Sequence, residues 1–193
     1  MIDFEKIKKL VVRIAEISVG QRLARFDGSD SPAIIREYGP GSKPSYPYLT
    51  YDIRHAGPAY TREANEYFDD QCRAIVEVEE NIVVKYTVYG DRSREIISEL
   101  CSSFFLPSLK LMMVATMPEM SIDNVATIKP APQVVGTQYV ESHSFIINFR
   151  YMNKMEDKFH TYLTGVELNT TISNEDEDYT LTITVPTTPT NDL

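Results

Sequence analysis

The residue types best suited to chemistry are few in this chain, and their spacing does not favour it. Three histidines occur, His55, His143 and His160, and none stands at the H-x-x-x-H or C-x-x-C spacing that brings two metal ligands together. A lone imidazole could still move a proton near neutrality. His55 falls in a polar loop-like stretch and His160 follows a charged turn. His143 lies mid-strand, where an inward-packed, satisfied ring is expected. The densest carboxylate run, Glu175–Asp178, offers oxygens to a divalent cation. It lacks the spaced D-x-D-x-D-G pattern and distant glutamate of a calcium loop, so it reads as a solvated hairpin tip. Glu77, Glu79 and Glu80 read the same way, as a charged hairpin turn that also guards against strand aggregation. Nucleophile-elbow, P-loop and dinucleotide glycine patterns are absent from the sequence. No catalytic residue, metal site or cofactor is expected.

Two cysteines remain, Cys72 and Cys101. Cys101 falls on the apolar face of a helix and reads as a small buried hydrophobe. Cys72 sits among polar residues at a strand start, and a structural disulfide is not expected. Asn169-Thr170-Thr171 matches the glycosylation triplet, which carries no meaning in a cytosolic protein.

Twelve tyrosines are the more suggestive signal. Tyr46, Tyr48 and Tyr51 gather on one strand, flanked by Tyr38 and Tyr60. Tyrosine suits a surface half buried against a partner, and equally the aromatic packing of a sheet face.

These residues must be positioned by a small set of elements. Ile82, Val84, Tyr86 and Val88 alternate with Val83, Lys85, Thr87 and Tyr89, which is the period of a strand. Gly90-Asp91 breaks the pattern, and Ile96, Ile97, Leu100, Cys101 and Phe104 then recur at helical spacing. The spacing predicts an amphipathic helix over Ile2–Ile17, with Asp3 as N-cap and Gly20 as its stop. A loop over Asp27–Pro47 follows, holding a short strand at Ala33–Ile35. A strand starts at Tyr46, and His55–Asp70 reads as a loop with a short helix near Thr61–Phe68. Cys72–Tyr89 reads as a hairpin turning at Glu80-Asn81. The helix from Asp91 to Phe104, a helical turn at Leu109–Ala115 and a short strand at Ile122–Ile128 come next. The long strand Tyr139–Met152 turns its odd-numbered residues to the core. A charged turn at Asn153–Lys158 precedes a second hairpin over Thr161–Val185. The expected fold class is α+β: an antiparallel sheet flanked by an N-terminal and a central helix, with a C-terminal β-hairpin. Residues 1–160 are expected to form one domain, 161–185 its hairpin extension and 186–193 a flexible tail.

The totals agree with such a domain. The chain has 193 residues, 42% of them apolar, enough for one domain with a real core. Its formal charge is -9, from 19 basic and 28 acidic residues, which disfavours gripping nucleic acid with the average surface. A signal-peptide core and the roughly 20-residue apolar run of a membrane helix are both missing from the sequence. A soluble cytosolic protein is expected, with no membrane partner.

In its order of elements the chain resembles the neck and tail-terminator proteins of tailed bacteriophages, over roughly Ile2–Lys158. The resemblance rests on the N-terminal helix, the strand Tyr46-Pro-Tyr-Leu-Thr-Tyr51 and the segment Tyr86-Thr-Val-Tyr-Gly90 with its following helix. The strand Tyr139-Val-Glu-Ser-His-Ser-Phe-Ile-Ile-Asn-Phe-Arg150 completes it. The resemblance implies a structural virion protein at the neck–tail junction, assembled in the host bacterial cytoplasm and not an enzyme. It implies a ring, usually a hexamer, that ends the tail tube and joins tail to head. Partners would be further copies of the chain, tail tube or sheath proteins and neck or connector proteins. DNA would pass through the channel without specific binding. Interface contacts are expected from Tyr46, Tyr48, Tyr51, Glu77, Glu79, Glu80, Tyr89, Glu141 and Arg150. The long Asp27–Pro44 loop and the Thr161–Leu193 extension depart from shorter members. The other readings are a different head–tail connector or tail-completion protein, a small metal-dependent enzyme using the acidic turn, and a host-interaction module.

Overall fold

Asp3 starts the first helix by accepting a hydrogen bond from the Lys6 backbone N–H at 3.0 Å, which satisfies one of the donors a helix start leaves free. Helix α1 (Phe4–Val19) then buries Ile7, Leu10, Val11 and Ile14 as one stripe. Gly20 does not stop it with a left-handed turn. Its φ is -54°, and the chain tightens into a 3-10 turn over Gly20–Arg22. The computed structural model describes residues 2–26, 28–39, 43–58, 64–71, 73–135, 138–156, 165–173 and 178–186. They fall into two units, Met1–Tyr67 with Ile75–Met155, and Phe68–Ala74 with Glu156–Leu193.

In the first unit the main sheet runs β1 (Ile34–Arg36), β2 (Tyr48–Pro58), β4 (Ala74–Tyr89), β9 (Ser142–Glu156), β5 (Met120–Val125). Strand β3 (Asn65–Phe68) adds to β4, and β6 (Lys129–Pro130) adds to β9. Pairs β2–β4, β5–β9 and β6–β9 are antiparallel, while β1 lies parallel to β2. The sheet is therefore mixed at one edge, within the expected α+β class. Helices α2 (Ser93–Ser103) and α3 (Pro107–Thr116) meet at 67°. Pro107 opens α3 at its first turn, where a missing N–H costs nothing. Among the described residues no single helix is long and apolar enough to cross a membrane.

One sheet face carries the core. Leu49 and Tyr51 of β2, Ile82, Val84, Tyr86 and Val88 of β4, and Phe145, Ile147 and Phe149 of β9 share a single cluster with α1, α2 and α3. Tyr86 sits at its centre, its ring stacked 5.5 Å from Phe145 and its hydroxyl donating to the Val11 carbonyl at 3.1 Å. The odd-numbered core face predicted for Tyr139–Met152 is observed from Phe145 to Tyr151, whereas Tyr139 and Glu141, before β9 begins, are exposed.

Several expectations fail for identifiable reasons. Cys72–Tyr89 is not a hairpin: residues 74–89 form one continuous strand through Glu80-Asn81. The parity of the side chains requires this. Ala74, Val76, Val78, Ile82, Val84, Tyr86 and Val88 are all even-numbered, and a two-residue turn at 80–81 would have flipped the apolar face. Strand β2 runs on through His55 and Gly57, so that stretch is not a loop, and a bulge between His55 and Gly57 absorbs the irregularity. The short helix expected near Thr61–Phe68 is, over its described part, strand β3 at residues 65–68, paired to β4. The long strand Tyr139–Met152 is interrupted at Glu141. Residues β7 (Gln133–Val135) and β8 (Gln138–Val140) form their own small hairpin before it. Strand β9 continues to Glu156, where a turn was expected.

In the second unit, β10 (Gly165–Ser173) and β11 (Asp178–Pro186) pair antiparallel, as the C-terminal hairpin predicted from sequence. Tyr60, Cys72, His160, the run 174–177 and the tail 187–193 lie outside the described residues.

Candidate functional site

At one end of the sheet, on the face away from the helices, three tyrosines form a stack. Tyr46 lies 5.4 Å from Tyr48, and Tyr48 lies 4.9 Å from Tyr89, its direct cross-strand partner. Tyr48 and Tyr89 are buried, and Tyr46 covers them while staying 45% exposed. Gln133 donates to the Tyr89 hydroxyl at 3.2 Å. Burial, with Tyr46 and Tyr89 alongside, pushes the Tyr48 phenol up to about 12. A hollow of about 280 Å³ opens beside the stack, lined by Arg36, Tyr38, Lys43, Tyr48, Tyr89 and Gln133. Tyr51 is not part of this surface. It points to the opposite face and is buried in the core.

The rest of that sheet face is a lattice of ion pairs. Lys85 meets Glu37 at 3.1 Å, and Arg54 meets Asp52 at 2.6 Å. Arg150 of β9 bridges Asp123 and Glu79, the latter at 3.6 Å. Lys154 meets Glu77 at 2.7 Å, and Tyr67 of β3 donates to the same carboxylate at 3.1 Å. These partners hold the Glu77 carboxyl below its usual range and raise the Lys154 ammonium. Glu77 and Glu79 were expected at a turn tip. They stand mid-strand, facing cations from β9.

Glu80 points the other way. It is buried on the helix-side face, contacts His55 of β2, and accepts from Asn153 Nδ2 of β9 at 2.5 Å. Among the described residues Asn153 Oδ1 has no hydrogen-bond partner. Phe4 of α1 packs edge-on to His55 at 6.0 Å. His143 has a satisfied ring, as expected: Nδ1 lies 2.9 Å from Ser93 Oγ and 3.7 Å from Glu141. Glu141 is exposed at the β8–β9 break, and its carbonyl accepts from Gly90 N–H at 2.9 Å. Cys101 is half-buried against the core, and burial raises its thiol. Among the described residues no group of three or more His, Cys, Asp or Glu could hold a metal ion.

A further exposed surface is apolar. Helix α3 buries only Leu109 and Met113, and Leu111 and Val114 are 71% and 57% exposed. Phe105 and Leu106, at the α2–α3 corner, are exposed beside them. A groove of about 430 Å³ runs between this corner, α3 and β5, and another of about 500 Å³ lies on the α1 side. The signal was legible: Leu109–Ala115 is apolar on every side except Lys110, which an ordinary surface helix is not. Exposed apolar side chains so close together in the chain are the kind of surface that contacts with proteins, membranes or ligands use.

A family model described as phage neck terminator protein matches residues 7–185. A search of curated proteins finds no significant match.

Proposed function

The chain belongs to the phage neck terminator family, and from that premise we propose that its copies close into a ring, expected to be a hexamer, that ends the tail tube and joins tail to head. The family places it among structural virion proteins of the neck. The observation that carries the reading is the match over residues 7–185, which takes in both the sheet-and-helix body and the β10–β11 hairpin.

Three features of the molecule support it. Its exposed chemistry is that of contact surfaces, with apolar α3 on one side and the tyrosine end of the sheet on another. The outer strands β1 and β5 leave backbone groups through which a neighbour's strand can extend the sheet. A net charge of -9 repeated around a channel repels the DNA backbone, so genome passes without sticking. In this account residues 1–160 build the ring body, and Tyr46, Glu77, Glu79, Glu141 and Arg150 sit where tail tube, sheath or connector proteins dock. The protein acts in the virion after assembly in the host cytoplasm, and it catalyses nothing.

Complementation tests this directly. Phage made without the protein should yield separate heads and tails. Adding purified protein to that lysate should restore joined, infectious particles. Unjoined heads and tails after addition would rule the reading out.

A further inference from the structure

The hollow beside the tyrosine stack gathers polar groups that the fold itself does not use. Thr50 and Tyr89 lie together in its lining, and Tyr89 accepts from Gln133 at 3.2 Å. Thr50 is only 5% exposed, and its hydroxyl finds no partner in hydrogen-bonding geometry among the described residues. Buried hydroxyls are ordinarily satisfied, so this one marks a place for a polar group from outside. Arg36 and Lys43 line the same hollow and are exposed. Among the described residues neither of them pairs with a carboxylate. Glu37, the acidic residue in the lining, is already taken by Lys85 at 3.1 Å. On a chain of net charge -9, the hollow is a local cationic spot.

Tyr38 lines this hollow while 86% exposed, with its backbone at φ +63°, a region bulky residues rarely enter. The turn holds it there: Glu37 N–H donates to the Tyr51 carbonyl at 2.8 Å, and Gly39 N–H to the Arg36 carbonyl at 3.1 Å. Strain of this kind concentrates where chains meet their ligands. Tyrosine and arginine around a small pocket are also the residues that anchor one protein on another. At about 280 Å³ the hollow takes one or two side chains, below the usual size of a small-molecule site. A nucleic-acid backbone needs cations along its length, and two in an acidic chain do not supply them. A carboxylate suits both cations, the planar fork of Arg36 and the point charge of Lys43.

We propose that this hollow receives a carboxylate side chain from an acidic segment of a neighbouring neck or tail protein. The inference deepens the docking role given to the tyrosine end of the sheet and rests on that reading. Fluorescence anisotropy of a labelled oligoglutamate, titrated with the full-length protein at low ionic strength, tests it. The expected result is saturable binding that weakens as salt is added. Lys43→Glu should weaken it at least ten-fold and Thr50→Val several-fold, with the thermal melt of Lys43→Glu unchanged. Lys9→Glu alters the net charge equally from the exposed side of α1, and should change binding less than two-fold. Absence of binding, or an equal loss from Lys9→Glu, would overturn the inference. Tighter binding of an oligothymidylate of equal charge, lost in Lys43→Glu, would overturn the choice of a protein partner. The assay needs no ring. Closed rings that bind no oligoglutamate sink the site and leave the ring, and a monomer that binds it as expected does the reverse.

Discussion

Gly90 lies directly against Tyr46. A β-carbon built on Gly90 would sit 2.8 Å from the Tyr46 β-carbon and 3.3 Å from Pro47 Cα, and the glycine holds φ at +103°. Glycine adopts this conformation freely and other residues do not. The turn between β4 and α2 therefore seats the tyrosine stack, and the scaffold and the candidate surface share one residue.

Gly90→Ala must then strain the backbone and push Tyr46 away. The expected loss is about 2 kcal/mol or more, read as a lower midpoint in chemical denaturation. Tyr46→Ala in the same background should recover part of it. An unchanged midpoint for Gly90→Ala would show that Tyr46 is not seated there.

The continuity of β4 has a sharp test. Replacing Glu80-Asn81 with Asn-Gly installs the strongest two-residue hairpin signal. In a hairpin that change would stabilise the protein. In a continuous strand it removes the buried Glu80 contacts to His55 and Asn153 and places glycine mid-sheet. We expect a loss of about 2–4 kcal/mol from these two effects. A gain in stability would restore the hairpin.

High pH should unfold the protein through its tyrosines. Burial raises Tyr48 to about 12, and raises Tyr86, Tyr89 and Tyr151 in the same direction. An unfolded phenol titrates near about 10. The folded state thus holds these protons more tightly. Their stabilisation is complete below about 10 and is lost as pH climbs through the folded values. Phenolate absorbance followed from pH 8 to 12.5 should show exposed tyrosines titrating first, then a step coincident with loss of circular dichroism. A single smooth titration with the fold intact would contradict this.

Arg150 separates stability from assembly. Its contacts to Asp123 and Glu79 are partly exposed, so Arg150→Ala should cost about 1 kcal/mol. If the ion-paired face docks neck or tail proteins, the same change should lower head–tail joining at least ten-fold in the complementation assay. Wild-type joining would remove that face from the docking surface.

Local patterns were legible in the sequence and long-range pairings were not. Asp3 and the stripe from Ile7 to Ile14 marked α1, Gly90-Asp91 marked the strand-to-helix turn, and the odd-numbered residues of Phe145–Tyr151 marked the core face. From sequence alone Glu80 reads as a turn residue, because its partners His55 and Asn153 lie 25 and 73 residues away and without them a carboxylate beside an asparagine looks like a turn. The unbroken even-numbered parity of β4 held the correct answer. Residues Glu77 and Glu79 needed the cations of β9 across the sheet, which no local window contains. The apolar α3 surface was visible as composition, but its exposure depends on how α1, α2 and β5 leave it uncovered.

The central claim, that this chain closes into a ring, is tested most directly by electron microscopy of the purified protein across a range of concentrations. The account predicts closed rings of a single symmetry, expected to be six-fold, with a central opening. A population that remains monomeric at every concentration, or polymerises only into open filaments, would contradict it.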